Sequence, residues 1–347
     1  MSPFSKTVNV PYYEQMSIIL VTGGAGYIGS HVVRQLLERG ERVVVLDNLS
    51  TGYRSALLGA PLVVGDTGDR DAVMRVLDRH GIETVMHFAA HTIVPESVSN
   101  PLKYYGNNTC ATRTLLECCD RAGVKHFVFS STAAVYGIPA EGVAREDSPT
   151  VPINPYGLSK LMSEWMLRDL AAASALRYVA LRYFNVAGSD SGGRIGHTAP
   201  TATLLVKVAC QQAAGVRPQI SIFGTDYKTP DGTGVRDYIH VEDLAGAHLK
   251  ALDYLRGGGG STTLNCGYGH GYSVREVLQM VERVNGKPLN VAESPRRAGD
   301  PPSLVAHAER IREVLGWTPG LDNLELIVRS QLEWEFRLLR EPELQRN

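Results

Sequence analysis

Between residues 18 and 185, short apolar runs alternate with stretches in which apolar residues recur every three or four positions. Ile18-Ile19-Leu20 suits a strand buried on both faces, and Ile28, Val32, Val33, Leu36 and Leu37 then follow at helical spacing up to Gly40. Arg42–Asp47, Leu62–Val64, Thr84–Ala90, His126–Phe129 (running on into Ser130-Ser131-Thr132) and Arg177–Asn185 read as the second to sixth strands. Helices are expected near Asp69, from about Leu102 to Gly123, and from Tyr156 to about Ala172, the last after a loop bounded by Pro149, Pro152 and Pro155. This alternation predicts an α/β fold built on a doubly wound parallel sheet with right-handed crossovers.

Beyond Asn185 the pattern becomes irregular and rich in Gly, Pro and Thr. A helix is expected over Leu204–Ala214, and another from Ser273, where Ser273 and Glu276 have capping-box spacing. Gly257 to Gly260 reads as a flexible surface connector. The division expected is a disordered leader over 1–15, ahead of Met16, a sheet domain over 16–185, and a smaller mixed α/β lobe over 186–347 from which later segments return to the sheet. In open parallel sheets ligands bind beyond the carboxyl ends of the strands, so the lobe would cover that cleft.

Composition narrows the class without naming a function. The chain has 347 residues, 44% hydrophobic, with 35 basic and 36 acidic side chains for a net charge of -1. That balance favours neither nucleic acid nor an anionic membrane surface as partner. No apolar run approaches the roughly 20 residues of a membrane span. Cys110, Cys118, Cys119, Cys210 and Cys266 are odd in number and lack C-x-x-C spacing, which points to reduced thiols and a cytoplasmic protein. The ten histidines show no H-E-x-x-H pattern or pairing with cysteine, so no metal site is expected. Asp237 and His240 could suggest acid–base chemistry, but His240-Val241-Glu242-Asp243 reads better as a helix start.

Gly23, Gly26 and Gly29 fall in the turn between the first strand and the first helix. A Rossmann-type dinucleotide fold needs residues without a β-carbon there, because the turn is tight and backbone N–H groups must approach a pyrophosphate. Asp47 ends the second strand about 20 residues further on, where a carboxylate can accept from adenosine ribose hydroxyls and repel a 2′-phosphate, favouring NAD over NADP. The plainer alternative is a helix-capping Asp, common at strand ends, and the glycines favour the ribose role over it. Asp66 has the same two readings, adenine contact or cap. Tyr156 and Lys160 are four residues apart and share a helix face. A phenol is a poor base at neutral pH, and a neighbouring ammonium would stabilise its phenolate. Thr132 could position the reacting oxygen.

The segments T-G-G-A-G-Y-I-G-S, H-F-A-A, S-S-T-A-A-V-Y-G, Y-G-L-S-K, R-Y-F-N and G-T-G-V-R-D-Y-I-H-V-E-D-L-A resemble the extended short-chain dehydrogenase/reductases, and among them the UDP-glucose 4-epimerase branch. The likeness runs from Met16 to about Trp334. It implies tightly held NAD, a UDP-sugar substrate, a homodimer formed through the two long helices, and interconversion of UDP-glucose and UDP-galactose through a 4-keto sugar without net redox change. It implies Thr132, Tyr156 and Lys160 as the catalytic set. Gly23, Gly26, Tyr27, Ile28, Gly29, Asp47, Asn48, Asp66, Thr67, Phe88, Ala89 and Ala90 would bind the cofactor, with Asn108, Tyr156, Lys160 and Tyr183 at its nicotinamide half, Lys160 reaching the ribose hydroxyls. Asn185, Phe223, Arg236, Arg297 and Asp300 would meet the sugar nucleotide: the arginines at the diphosphate and ribose region, Phe223 as a wall for uracil.

Three positions depart from that pattern. Thr92 stands where some members have a phosphate-binding lysine, Leu204 where Asn or His is frequent, and Leu304 where a tyrosine or smaller residue gates sugar size. Leucine leaves more room than tyrosine, so UDP-N-acetylhexosamines, pentoses or uronates remain alternative substrates. The 4,6-dehydratases of the same fold carry an Asp-Glu pair just after the threonine, and here Ala133 and Ala134 occupy those places. A non-catalytic NAD-binding protein would be expected to lack Tyr156 or Lys160.

Overall fold

The structure is a computed structural model that describes residues 17–199, 201, 203–297 and 299–346. The leader expected over 1–15 lies outside them. Seven strands form the main sheet: β1 Ile18–Thr22, β2 Val43–Asp47, β3 Leu62–Val64, β4 Ile82–His87, β5 His126–Thr132, β6 Arg177–Tyr183 and β7 Thr262–Cys266. They lie side by side in the order β7-β6-β5-β4-β1-β2-β3, and every pairing is parallel.

The near-continuous apolar runs reflect burial on both faces. Ile19, Val21, Val45, Met86, Val128 and Val179 feed one core, whereas Leu20, Val44, Leu46, Val85, Phe127 and Ala180 feed the other. Successive strand residues point to opposite faces, so one run serves two layers. Helix α1 (Tyr27–Glu38) covers the first face. Helices α2 (Arg70–His80) and α3 (Ala111–Ala122) cover the second. Helix α4 (Pro155–Ala173) starts at Asn154, whose side chain accepts from Gly157 N, with Pro155 supplying a preset φ at the first turn.

The helix expected over Leu102–Gly123 is not uniform. Pro101–Tyr104 leads into a π-helical turn, Tyr105–Cys110, before α3, which ends at the left-handed Gly123. Thr112 and Ser163 hydroxyls both donate to the Asn108 carbonyl within this turn, at 2.6 and 3.0 Å. The sixth strand stops at Tyr183, and Asn185–Ala187 pairs instead with Tyr238–His240. Gly257 to Gly260 is no loose connector: Gly257 N, Gly258 N and Gly259 N donate to the Asp253, Leu255 and Tyr254 carbonyls and close a helix end.

Helix α5 is Leu205–Ala213 and α6 is Val241–Arg256. The His240 side chain accepts from Glu242 N and caps α6, as the helix-start reading expected. Helix α6 lies along α1, tied by Arg34–Glu242 at 2.6 Å and Arg39–Asp253 at 2.7 Å, and delivers the chain to β7. Helix α7 (Val274–Asn285) begins at Ser273 with both bonds of the capping box formed, and α8 (Leu324–Arg340) closes the described chain's last long element. The lobe adds a four-stranded sheet of Tyr272–Ser273, Val235–Arg236, Ser303–Ala306 and Val143–Ala144, and a two-stranded one of Ile220–Phe223 with Val291–Ser294. No helix among the described residues is long and apolar enough to cross a membrane.

Candidate active site

A cavity of about 630 Å³ opens at the carboxyl ends of the main-sheet strands, between sheet and lobe. Its floor is the glycine turn. Gly23 sits at φ +69°, and a Cβ there would lie 2.5 Å from Ala89 N, because the turn after β1 and the Phe88–Ala90 segment after β4 nearly touch. A Cβ on Gly29 would lie 2.3 Å from the Gly23 carbonyl oxygen. Gly26 caps α1 without any side-chain hydrogen bond, so the helix's first N–H groups are left for an anion in the cavity. These features fit the pyrophosphate of a dinucleotide.

Asp47 is buried at the end of β2. Its two carboxylate oxygens accept from Ala25 N at 2.9 Å and Leu49 N at 2.8 Å, which orients the group toward the cavity it lines. It caps no helix. Burial lifts its pKa, and the two backbone N–H bonds oppose that shift. Asp66 is not a cap either: Asp69 caps α2, while Asp66 accepts from Gly68 N at 2.7 Å and Asn48 Nδ2 at 2.9 Å on the cavity wall. Tyr27, Ile28, Thr67, Phe88, Ala89 and Ala90 complete this half of the lining.

Thr132, Tyr156 and Tyr183 line the middle of the cavity. Thr132 ends β5, where its hydroxyl oxygen accepts from Ala134 N at 3.1 Å, and Tyr156 opens α4 on the same stretch of the cavity lining. Lys160, one turn further along α4, is buried behind them with Nζ 4.5 Å over the Phe129 ring. The expected pKa relation between phenol and ammonium is not the one found. Burial raises the Tyr156 pKa, with the Thr132 hydroxyl opposing, and Lys160 does not figure among its causes. Burial likewise lowers Lys160 to about 7, with Glu164 pulling it back up. In so dry a site each group is pushed toward its neutral form. Beneath them Glu164 is paired with Arg182 at 2.6 Å and accepts from the Ser131 hydroxyl, fixing α4 against β5 and β6.

On the lobe side Asn185, Leu204, Arg236, Asp300 and Leu304 line the cavity. Arg236 and Leu304 are register partners on adjacent strands, so the side chains share a face. Lys160, behind Tyr156, and three further expected residues stand outside the lining. Asn108 is buried with its amide engaged by the backbone of His91 (2.8 and 2.9 Å) and by Ser159 Oγ (3.1 Å), which makes it a brace between the β4 loop and α4. The Arg297 guanidinium covers one face of the Phe223 ring at 3.9 Å and approaches Asp300 at 3.8 Å. Pattern reading gave no hint of the segment Gly196–Thr203, described members of which line the cavity without any periodic signal, or of His91, Lys103 and Tyr53.

The description of the NAD dependent epimerase/dehydratase family matches residues 19–267. The chain belongs to this family. It is 59% identical over 321 residues to the UDP-glucose 4-epimerase of Azospirillum brasilense, covering 92% of each chain. Among solved structures it superposes with TM-score 0.88 on the Brucella ovis UDP-glucose 4-epimerase in complex with NAD, at 42% identity over 95% of this chain and 98% of that one. It also superposes with TM-score 0.88 on the Bifidobacterium longum UDP-glucose 4-epimerase in complex with NAD+ and UDP, at 37% identity over 92% and 98%. The doubly wound fold, the enzyme class and NAD dependence therefore hold for this chain as members of that family.

Proposed function

We propose that this enzyme interconverts UDP-glucose and UDP-galactose at sugar carbon 4, with Tyr156, Thr132 and Lys160 as its catalytic residues. The observation that carries the reading is that Thr132 and Tyr156 line the same cavity as the glycine turn and Asp47, with Lys160 buried one turn behind Tyr156. Bound NAD supplies a hydride acceptor for carbon 4 and, afterwards, the donor to the opposite face. Thr132 holds the sugar 4-oxygen, and Tyr156 takes and later returns its proton. Lys160, buried one turn behind Tyr156, would hold the ribose hydroxyls of the nicotinamide half. Arg236 and Asp300 hold the nucleotide, leaving the hexose few fixed contacts, so the 4-keto sugar can turn over between half-reactions. With Ala133 and Ala134 after Thr132, no side chain there can expel water, which separates this site from a dehydratase.

A second reading, a 4-epimerase of another UDP-sugar, is favoured by Leu204 and Leu304, which make that end of the wall apolar. The reading also includes a homodimer in the cytoplasm. All five thiols are unpaired, and Leu102 and Trp165 are 79% and 43% exposed on the two helical segments expected to pair. Incubation with UDP-galactose, UDP-N-acetylgalactosamine, a UDP-uronate and a UDP-pentose, with product analysis, tests the assignment. Fastest conversion of UDP-galactose supports it; preference for another sugar selects the second reading; no conversion of any leaves a non-catalytic NAD-binding protein.

A further inference from the structure

Tyr27 opens α1 on the floor of the cavity, and His197 lies on the lobe segment that forms part of the facing wall. Their rings stack, centroids 4.6 Å apart and planes 13° from parallel. The Tyr27 hydroxyl also donates to the Gly188 carbonyl at 2.6 Å, at the start of the same segment. From behind, Lys207 Nζ donates to the His197 carbonyl at 2.5 Å and pairs with Glu335 at 2.7 Å, both being buried. Gly196 is pressed against Trp334: a Cβ there would come within 2.6 Å of the indole. The segment is thus braced from α5 and α8 and meets the cofactor turn through one ring.

His197 Nδ1 is buried and has no hydrogen-bond partner among the described residues. Through that nitrogen the ring is no strut, and it meets Tyr27 face to face. Resting on the reading that NAD stays bound between half-reactions, we propose that the Tyr27–His197 stack is a clasp, with His197 a positioning residue that closes the lobe segment over the glycine turn and slows cofactor release. NAD leaving past this wall must first part the two rings. A stack of this kind accounts for about a three- to tenfold change in the opening equilibrium.

The test uses two variants of the NAD-loaded protein that fill similar space, His197→Phe and His197→Leu. After buffer exchange, NAD remaining on the protein is measured against time. The clasp predicts near wild-type retention for His197→Phe, which keeps a stacking face, and roughly three- to tenfold faster loss for His197→Leu. Wild-type retention by His197→Leu, or equally fast loss by both variants, would overturn it. Should the wild-type protein itself carry no NAD, the tight-cofactor reading fails rather than the clasp.

Discussion

At the scale of single residues, the proposed catalytic group stands out in the sequence because such chemistry forces its spacing. Tyr156 and Lys160 had to share a helix face, and Asp47 had to end the strand beside the glycine turn. Their environment was not readable. Spacing shows who is near whom but not how dry the place is, and here burial raises the Tyr156 phenol and lowers the Lys160 ammonium to about 7. Nor could spacing reveal that the Asn108 amide is taken up by His91 and Ser159, or that Arg297 lies over Phe223. Replacing Tyr156 with Phe should lower turnover by roughly 10³-fold, the middle of the range for a general acid–base group, with bound NAD retained. Turnover and NAD content measured on one preparation check this, and near wild-type turnover would remove Tyr156 from its role. Asp47→Ala should weaken NAD retention by roughly 10- to 100-fold through loss of charge-assisted hydrogen bonds, read as residual cofactor after gel filtration.

At the scale of elements, strands and helices of the first half were legible because burial on two faces writes an unbroken apolar run. β7 escaped notice because Thr262 and Thr263 break such a run at the sheet's edge. The π-helical turn is set by hydroxyls from two other helical turns donating to the Asn108 carbonyl, a contact that periodicity does not encode. The glycine turn is the least forgiving element. Gly29→Ala would push a methyl to 2.3 Å from the Gly23 carbonyl oxygen, so the turn must shift and NAD content should fall at least about tenfold, one hydrogen bond's worth. Glu164→Gln should lower unfolding free energy by roughly 3–5 kcal/mol in a urea titration, because the buried Arg182 charge loses its counterion.

At the scale of the whole molecule, the lobe's place over the cleft followed from the rule for open sheets, but the strapping of 188–199 onto α1 rests on contacts between segments about 160 residues apart, such as Tyr27 with Gly188. Buried histidines give the molecule a pH dependence. Burial holds His31 and His87 down at about 3 and His240 and His248 at about 4, from an ordinary value of 6.5. The unfolded chain therefore binds protons that the fold refuses. Stability is unaffected by these groups above pH 6.5 and falls progressively as pH drops from 6.5 toward 4. Each contributes up to about 1.4 kcal/mol of loss per pH unit in that window. Urea midpoints at pH 7.5 and 5.5 should differ accordingly, and equal midpoints would contradict this.

In the proposed reaction carbon 4 loses and regains the same hydrogen inside one closed site. UDP-galactose incubated with the purified protein in deuterium oxide, without added NAD, and followed by proton NMR addresses it directly. The prediction is an equilibrating mixture with UDP-glucose in which carbon 4 keeps its protium. Absence of conversion, or deuterium appearing at carbon 4, would contradict it.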